Sequence, residues 1–173
     1  TLALALSRQG LAVALQAPPH DAAREDVRAY ALNAASVALL DSLKVWEALP
    51  ADARTAVFDM RIEGDAAAAV LRFSAWQQQV RELAWIVDAA ALEAELAAAL
   101  RYAPHVSMTT DAVSARLLVL AEGRASATRE RLGVDFETHD YGQTAIAARL
   151  QTDAPHGGLA RQCPVRRAAA GLA

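Results

Sequence analysis

The feature that most constrains this chain is an apolar run that leads through an acid–glycine turn into a polar helix. Residues 117–133 have the sequence LLVLAEGRASATRERLG, whose first four residues predict a buried strand. Glu122 and Gly123 form the turn, and the helix is expected to end at Gly133. This arrangement is typical of a ligand corner, because glycine allows close backbone approach and a helix start offers unpaired N–H groups. The residues by themselves favour a simpler alternative, a tight connection without a ligand.

Length and composition restrict the class of protein. The chain has 173 residues, of which 54% are hydrophobic, so one globular domain with a sizeable core is expected. The net charge of −3 gives no electrostatic footprint for nucleic acid. No apolar run is long enough to span a bilayer, and no signal-peptide pattern is present. Cys163 is the single cysteine, so an internal disulfide is excluded and a reducing cytoplasm is the simplest compartment.

Helical and strand-like patterns alternate along the rest of the chain. Short apolar or alternating runs predict strands at residues 11–15, 56–62, 69–73, 83–87, 106–108, 117–120 and 141–148. Helices are expected at residues 1–9, after Asn33, at 45–49 and at 89–101. Asn33 and Asp88 are the expected N-caps, and Gly10 is expected to end the first helix. The alternation predicts an α/β fold with a mixed sheet, in which residues 56–73 form a hairpin and residues 1–15 pack near 117–120.

Apolar side chains at helical spacing are expected in the core. They are Val37, Leu39, Leu40 and Leu43 on the helix after Asn33, and Leu92, Leu96 and Leu100 on the helix at 89–101. The three tryptophans, Trp46, Trp76 and Trp85, are interpreted as packing anchors rather than as a cofactor pocket.

The polar residues form no catalytic or metal-binding constellation. The histidines do not have ligand spacing, so no metal site is predicted; they are His20, His105, His139 and His156. Ser126 lacks the flanking glycines of a nucleophile elbow, which excludes a hydrolase of that type. No catalytic residue can therefore be assigned from motifs.

Five segments, in order, resemble the FAD-dependent aromatic hydroxylases of ubiquinone biosynthesis, a group of single-component flavin monooxygenases. They are TLALALSRQGLAVAL, RAYALNAASVALLDSLKVWEAL, LAWIVDAAALEAELAAAL, LLVLAEGRASATRERLG and DYGQTAIAARL. The resemblance implies an incomplete Rossmann-like FAD-binding domain over residues 1–161, with its hairpin extending toward a substrate layer, and an irregular tail over 162–173. The family's first Gly-rich turn and second Gly-Asp motif have no counterpart here, so we expect the domain to be truncated at both ends.

The resemblance implies cofactor-binding roles for four residues. Arg28 matches an arginine that contacts the flavin nucleotide in the family. Glu122 and Gly123 match the family's Asp-Gly motif, which serves both FAD and the reduced nicotinamide cofactor, and Arg129 lies downstream of that motif. Glutamate keeps the negative charge of the family's aspartate but reaches one methylene further.

Two other positions depart from the family pattern. Gln16 lies near the place where the family has a ribose-binding acid, and the segment Gln16-Ala17-Pro18 contains no carboxylate. Ala89 and Ala90 stand where the family has a polar, FAD-contacting residue at a helix start. Both departures remove contacts that would hold the flavin.

By resemblance, the chain is part of an enzyme that hydroxylates a polyprenylated phenol ring with FAD, NAD(P)H and O2, although these residues alone are expected to be inactive. The alternative is a non-catalytic remnant that serves as a structural or interaction protein. A nicotinamide-dependent dehydrogenase is less favoured, because no complete dinucleotide fingerprint is present. The implied partners are the polyprenyl phenol, the surface of the inner membrane and other ubiquinone-synthesis proteins; nucleic acid is not expected.

Overall fold

The computed structural model describes residues 1–17, 26–64, 66, 69–111 and 113–163. Within these residues the helices are α1 (Leu2–Arg8), α2 (Ala34–Ser42), α3 (Ala89–Arg101) and α4 (Ala127–Arg131). The strands are β1 (Val13–Leu15), β2 (Ala29–Leu32), β3 (Arg54–Val57), β4 (Asp59–Glu63), β5 (Val70–Ser74), β6 (Ala84–Asp88), β7 (Val106–Met108) and β8 (Leu159–Gln162). The predicted mixture of helices and strands is confirmed.

The described strands form three small sheets, whereas the sequence predicted one mixed sheet. β1 and β7 make a parallel pair. β6 lies between β2 and β3 and is antiparallel to both. β4 lies between β5, to which it is antiparallel, and β8, to which it is parallel. The predicted hairpin is confirmed by the β4–β5 pair, although Asp65 in its turn lies outside the described residues.

Local signals set the helix ends as expected. The N–H of Gly10 donates to the carbonyl of Ser7 at 2.9 Å, and the N–H of Leu11 donates to the carbonyl of Leu6 at 3.1 Å. With Gly10 at φ +75°, this is a Schellman motif that ends α1. The side chain of Asn33 caps α2 and that of Asp88 caps α3, as predicted.

The core lies where α1, α2 and α3 meet β6. Its buried members are Leu4, Leu40, Leu43, Val45, Leu49, Val87 and Leu92. Trp46 and Trp85 pack against this cluster in an edge-to-face pair with ring centroids 5.2 Å apart, as expected of packing anchors. Two expectations were wrong, since Leu39 is 45% exposed and Trp76 is 89% exposed.

The predicted strands at 117–120 and 141–148 are absent. Both stretches have irregular backbone, and residues 117–120 are all exposed. A strand requires a hydrogen-bonded neighbour, and in the described structure no chain segment pairs with either stretch. No hydrogen bond between described residues joins residues 1–15 to 117–120, where close packing was expected. Helix α1 contacts β1, α3 and β7, and β1 pairs with β7.

Three further boundaries differ from the sequence prediction. Residues 45–49 form a turn rather than a helix, although Val45 and Leu49 are buried in the core. The single strand expected at 56–62 is split at Phe58 into β3 and β4, which belong to different sheets. The residues that lead into α2 form β2, whose pairing with β6 the local sequence did not indicate.

Some expectations fall on residues without a description. Most of the tail expected at 162–173 lies in residues 164–173, outside the described residues. β8 extends to Gln162, and the division between a domain at 1–161 and a tail at 162–173 stays a prediction. Among the described helices, none has the length and apolar character needed to cross a membrane.

Candidate functional site

Glu122 organises the turn before α4. Its carboxylate accepts hydrogen bonds from the Ser126 hydroxyl, from the Thr128 hydroxyl at 2.7 Å and from the Thr128 N–H at 3.3 Å. Ser126 in turn accepts a bond from the N–H of Arg129 at 3.1 Å and is the N-cap of α4. These hydrogen bonds, that from Ser126 first, lower the pKa of Glu122 below its ordinary value. The carboxylate is therefore ionised at neutral pH and complements the N-terminus of a helix.

Arg129 closes the same turn from the other side. Its guanidinium donates to the Arg124 carbonyl at 2.8 Å and to the Gly123 carbonyl at 3.4 Å. It also lies over the Phe136 ring, 4.0 Å from the centroid, in a cation–π contact. An open cleft of about 530 Å³ borders this cluster and is lined in part by Arg124, Arg129 and Phe136.

Arg28 lies just before β2 in a second charged cluster. Its Nε donates to both carboxylate oxygens of Asp26, at 2.9 and 3.0 Å, and its Nη2 approaches Glu93 Oε1 at 3.4 Å. The hydrogen bonds to Asp26 are the main reason that the pKa of Arg28 is raised further. The Arg28 side chain is 51% exposed, and its Nη1 has no partner among the described residues.

Arg149 belongs to this second cluster but was missed by sequence reasoning. It forms an ion pair with Asp88, the N-cap of α3, and also donates to the Asp26 carbonyl at 3.2 Å. Arg149 directly follows the exposed irregular stretch 141–148, where a strand was predicted. No local sequence signal could have found it, because its partners are 61 and 123 residues away along the chain.

The four predicted residues thus fall into two groups. Glu122, Gly123 and Arg129 are brought together at the start of α4, as their spacing implies. Arg28 is held by Asp26 and Glu93 instead, and within the described part of the chain no hydrogen bond or ion pair joins it to the turn. Whether these four residues bind a cofactor stays a prediction.

The donor set fits a flavin nucleotide in part. Arg28 is accessible, and no described residue accepts from the N–H groups of its Nη1, which suits binding of a phosphate oxygen. Three carboxylates, those of Asp26, Asp88 and Glu93, surround two guanidiniums there, so the cluster attracts an anion less than two bare arginines would. Glu122 retains lone-pair capacity beyond its three hydrogen bonds, and ribose hydroxyls could donate to it.

Distant relatives of this chain are found among known proteins. The chain is distantly similar, at low identity, to aromatic-ring hydroxylases, and the resemblance expected from its sequence is confirmed at that level. One such relative is the ubiquinone hydroxylase UbiL of Rhodospirillum rubrum, which is 27% identical over an alignment covering 92% of this chain and 43% of that protein. The chain therefore spans less than half the length of this relative.

A solved structure and the family models complete the comparison. The p-nitrophenol 4-monooxygenase PnpA from Pseudomonas putida superposes with a TM-score of 0.42 and 17% identity, over 61% of this chain and 26% of that one. No protein-family model matches the chain.

Proposed function

We propose that this chain is part of an FAD-dependent monooxygenase that hydroxylates a polyprenylated phenol ring in ubiquinone biosynthesis. The observation that carries the proposal is the similarity to a ubiquinone hydroxylase along 92% of the chain. The relative's name supplies the substrate class, and the charged side chain of Arg28 supplies a group suited to a nucleotide phosphate.

Each predicted residue has a role in this proposal. Arg28 binds a phosphate oxygen of FAD through Nη1 while Asp26 holds the other side of its guanidinium. Glu122 and Gly123 form the turn that faces the flavin and the reduced nicotinamide cofactor. Arg129 keeps that turn closed by binding its carbonyls. Bound FAD supplies the redox chemistry that activates O2.

The protein's own contribution is binding and exclusion of water. No residue of the chain is assigned a proton-transfer role, because no acid–base pair faces a described cavity in the way that general catalysis requires. Since the chain spans 43% of UbiL, we expect the 173 residues alone not to hydroxylate.

Oxygen consumption tests both statements. The 173-residue chain and the longer protein that carries it would each be incubated with FAD, a nicotinamide cofactor and a polyprenyl phenol. We expect substrate-dependent oxygen uptake and a hydroxylated product from the longer protein, and neither from the chain by itself. Hydroxylation by the isolated chain would overturn the expectation that the 173 residues alone are inactive. A longer protein with neither flavin binding nor activity would overturn the assignment to a hydroxylase.

A second candidate is a non-catalytic remnant that acts through protein contacts. It is favoured by the commitment of Glu122 to three intrachain hydrogen bonds, which gives this residue a structural role without any cofactor. The absorbance spectrum of the purified longer protein separates the candidates, because a bound flavin absorbs visible light and the polypeptide does not. A colourless protein that does not take up added FAD would favour the remnant.

A further inference from the structure

The three-stranded sheet of β5, β4 and β8 carries an arginine at the same level on each strand. Arg61 pairs with Arg72 across the antiparallel β4–β5 ladder and with Arg161 across the parallel β4–β8 ladder. Residues that pair directly lie on the same face of a sheet, so three guanidiniums stand side by side on one face. We call these three residues the arginine row. Neighbouring strands lie about 4.8 Å apart, so the row extends over about 10 Å.

The arginine row lacks the counter-charges that would neutralise it. Like charges directly opposite each other destabilise the pairing of strands. Arg61 has a partner in Glu63, two residues further along β4, whose Oε1 lies 2.9 Å from Nε of Arg61. Arg72 and Arg161 are exposed, and within the described residues neither side chain has a hydrogen bond or an ion pair. Two of the three guanidiniums are therefore available to an anion from solution.

The rest of this face restricts the kind of anion. Its carboxylates are Asp59 and Glu63 on β4, so the three arginines leave the face net positive in a chain whose net charge is −3. Phe73, the aromatic residue of β5, alternates to the opposite face. Single-stranded nucleic acid is usually held by aromatic side chains that stack on its bases, and the described residues of this face include none. A small, highly charged anion suits the face better than a nucleic acid.

We propose that the arginine row binds a diphosphate or longer oligophosphate group. The planar guanidinium of arginine matches phosphate oxygens with paired N–H donors. Linked phosphates carry several charges along a short chain and can contact all three arginines at once, whereas a single phosphate engages fewer of them. Inorganic pyrophosphate and nucleoside diphosphates both carry this group. The proposal does not depend on flavin binding at Arg28 or on hydroxylase activity.

The strands and the neighbouring carboxylate set how strongly the row can bind. Pairing with β4 fixes the backbone of Arg72 and Arg161 before a ligand arrives, which lowers the entropic cost of binding. Glu63 acts in the opposite direction, because its carboxylate occupies Arg61 and repels an incoming anion. The row therefore predicts effects of opposite sign when an arginine or Glu63 is neutralised.

Isothermal titration calorimetry of the 173-residue chain tests the proposal. Inorganic pyrophosphate should bind several-fold more tightly than inorganic phosphate, and its affinity should decrease as salt screens the arginines. Arg72→Gln and Arg161→Gln should each weaken pyrophosphate binding by roughly tenfold, as expected for the loss of a charge-assisted hydrogen bond. Titration with ADP distinguishes the two sources of the group. Binding at least as tight as that of pyrophosphate shows that the row accepts a nucleotide, and weaker binding restricts it to inorganic oligophosphate.

Two further variants complete the experiment. Arg101→Gln, at an exposed arginine that ends α3, is the matched control and should bind pyrophosphate like the parent chain. Glu63→Gln should bind it several-fold more tightly, because Arg61 is released from its counter-charge. Circular dichroism shows whether each variant has folded.

Equal pyrophosphate affinity of Arg72→Gln, Arg161→Gln and the parent chain would overturn the proposal, as would pyrophosphate that binds no more tightly than phosphate. A polyglutamate peptide that binds the parent but not Arg72→Gln, when pyrophosphate does not bind at all, would also overturn it by assigning the row to an acidic protein segment.

Discussion

At the residue scale, Glu122 fits both interpretations of its turn, a ligand corner and a tight connection without a ligand. The sequence predicted a carboxylate beside a glycine in a turn before a helix, and the structure has that arrangement. Its hydrogen bonds to Ser126 and Thr128 could have been anticipated, because a serine before a short helix is a common N-cap. The cation–π contact of Arg129 with Phe136 could not, since the path of the chain after Gly133 carries no local pattern.

Gly158 is a residue at which the fold requires the absence of a side chain. It has φ +70°, and a Cβ built on it would lie 2.6 Å from Cδ2 of Phe58. Its carbonyl accepts the N–H of Phe58 at 2.8 Å, which fixes the two backbones close together. We expect Gly158→Ala to lower the free energy of unfolding by about 1–3 kcal/mol, measured by urea denaturation.

The control for this substitution is Gly123→Ala. Gly123 has a similar φ of +80°, but a Cβ there would meet no atom within 4 Å. Only the backbone strain should then contribute, so the loss should be smaller than at Gly158. Equal losses for the two variants would show that the contact with Phe58 is unimportant.

At the scale of elements, local signals were sufficient for helix ends and insufficient for strands. Asn33, Asp88 and Gly10 were placed correctly, because capping depends on a few neighbouring residues. Residues 117–120 were wrongly predicted as a buried strand. An apolar run favours burial, but a strand also needs a neighbouring strand to pair with, and the local sequence does not show whether one is present. β2 was missed for the converse reason, since it exists by pairing with β6, more than 50 residues away.

Asp88 makes the stability of α3 depend on pH. Burial alone would raise its pKa, but hydrogen bonds from the Ala91 N–H and from Arg149 outweigh burial and lower it. A carboxyl whose pKa is lower in the folded state contributes stability above its unfolded pKa of about 3.9 and loses it as pH falls further. We expect the free energy of unfolding to fall below that pH, and to fall less in Asp88→Asn. Thermal denaturation between pH 2.5 and 7 measures this.

Two further variants separate capping from charge. Asp88→Ala also removes the cap, which should cost about 1 kcal/mol at neutral pH. Asp153→Asn removes an exposed aspartate without an ion pair in the described part of the chain, and its pH profile should match that of the parent. If the free energy of unfolding decreases with pH equally in Asp88→Asn and in the parent chain, Asp88 does not cause the acid sensitivity.

At the scale of the whole molecule, one apolar cluster joins α1, α2, α3 and β6. Leu40 is 4% exposed and belongs to this cluster, whereas its neighbour Leu39 on the same helix is 45% exposed. We expect Leu40→Ala to lower the free energy of unfolding by about 2–5 kcal/mol through lost burial and the cavity that remains. Leu39→Ala should change it by less than about 1 kcal/mol. Similar effects of the two substitutions in urea titrations would contradict the position assigned to the core.

The three-sheet arrangement lay beyond what the sequence could predict. The break at Phe58, which divides β3 from β4, depends on contacts of Phe58 with Gly158 a hundred residues later. The candidate site divides in the same way: the turn at Glu122 is local and was predicted, whereas the joining of Arg28 to Asp26, Glu93 and Arg149 depends on how distant segments pack.

The central claim is that Arg28 marks a flavin-nucleotide site in a relative of ubiquinone hydroxylases, and FAD titration tests it most directly. The longer protein that carries this chain would be titrated with FAD as the parent, as Arg28→Ala and as Arg101→Ala, the control at an exposed arginine on α3. We predict that Arg28→Ala weakens FAD binding by roughly tenfold, as expected for the loss of a charge-assisted hydrogen bond, and that Arg101→Ala does not. Equal FAD affinity of all three folded proteins would contradict the claim.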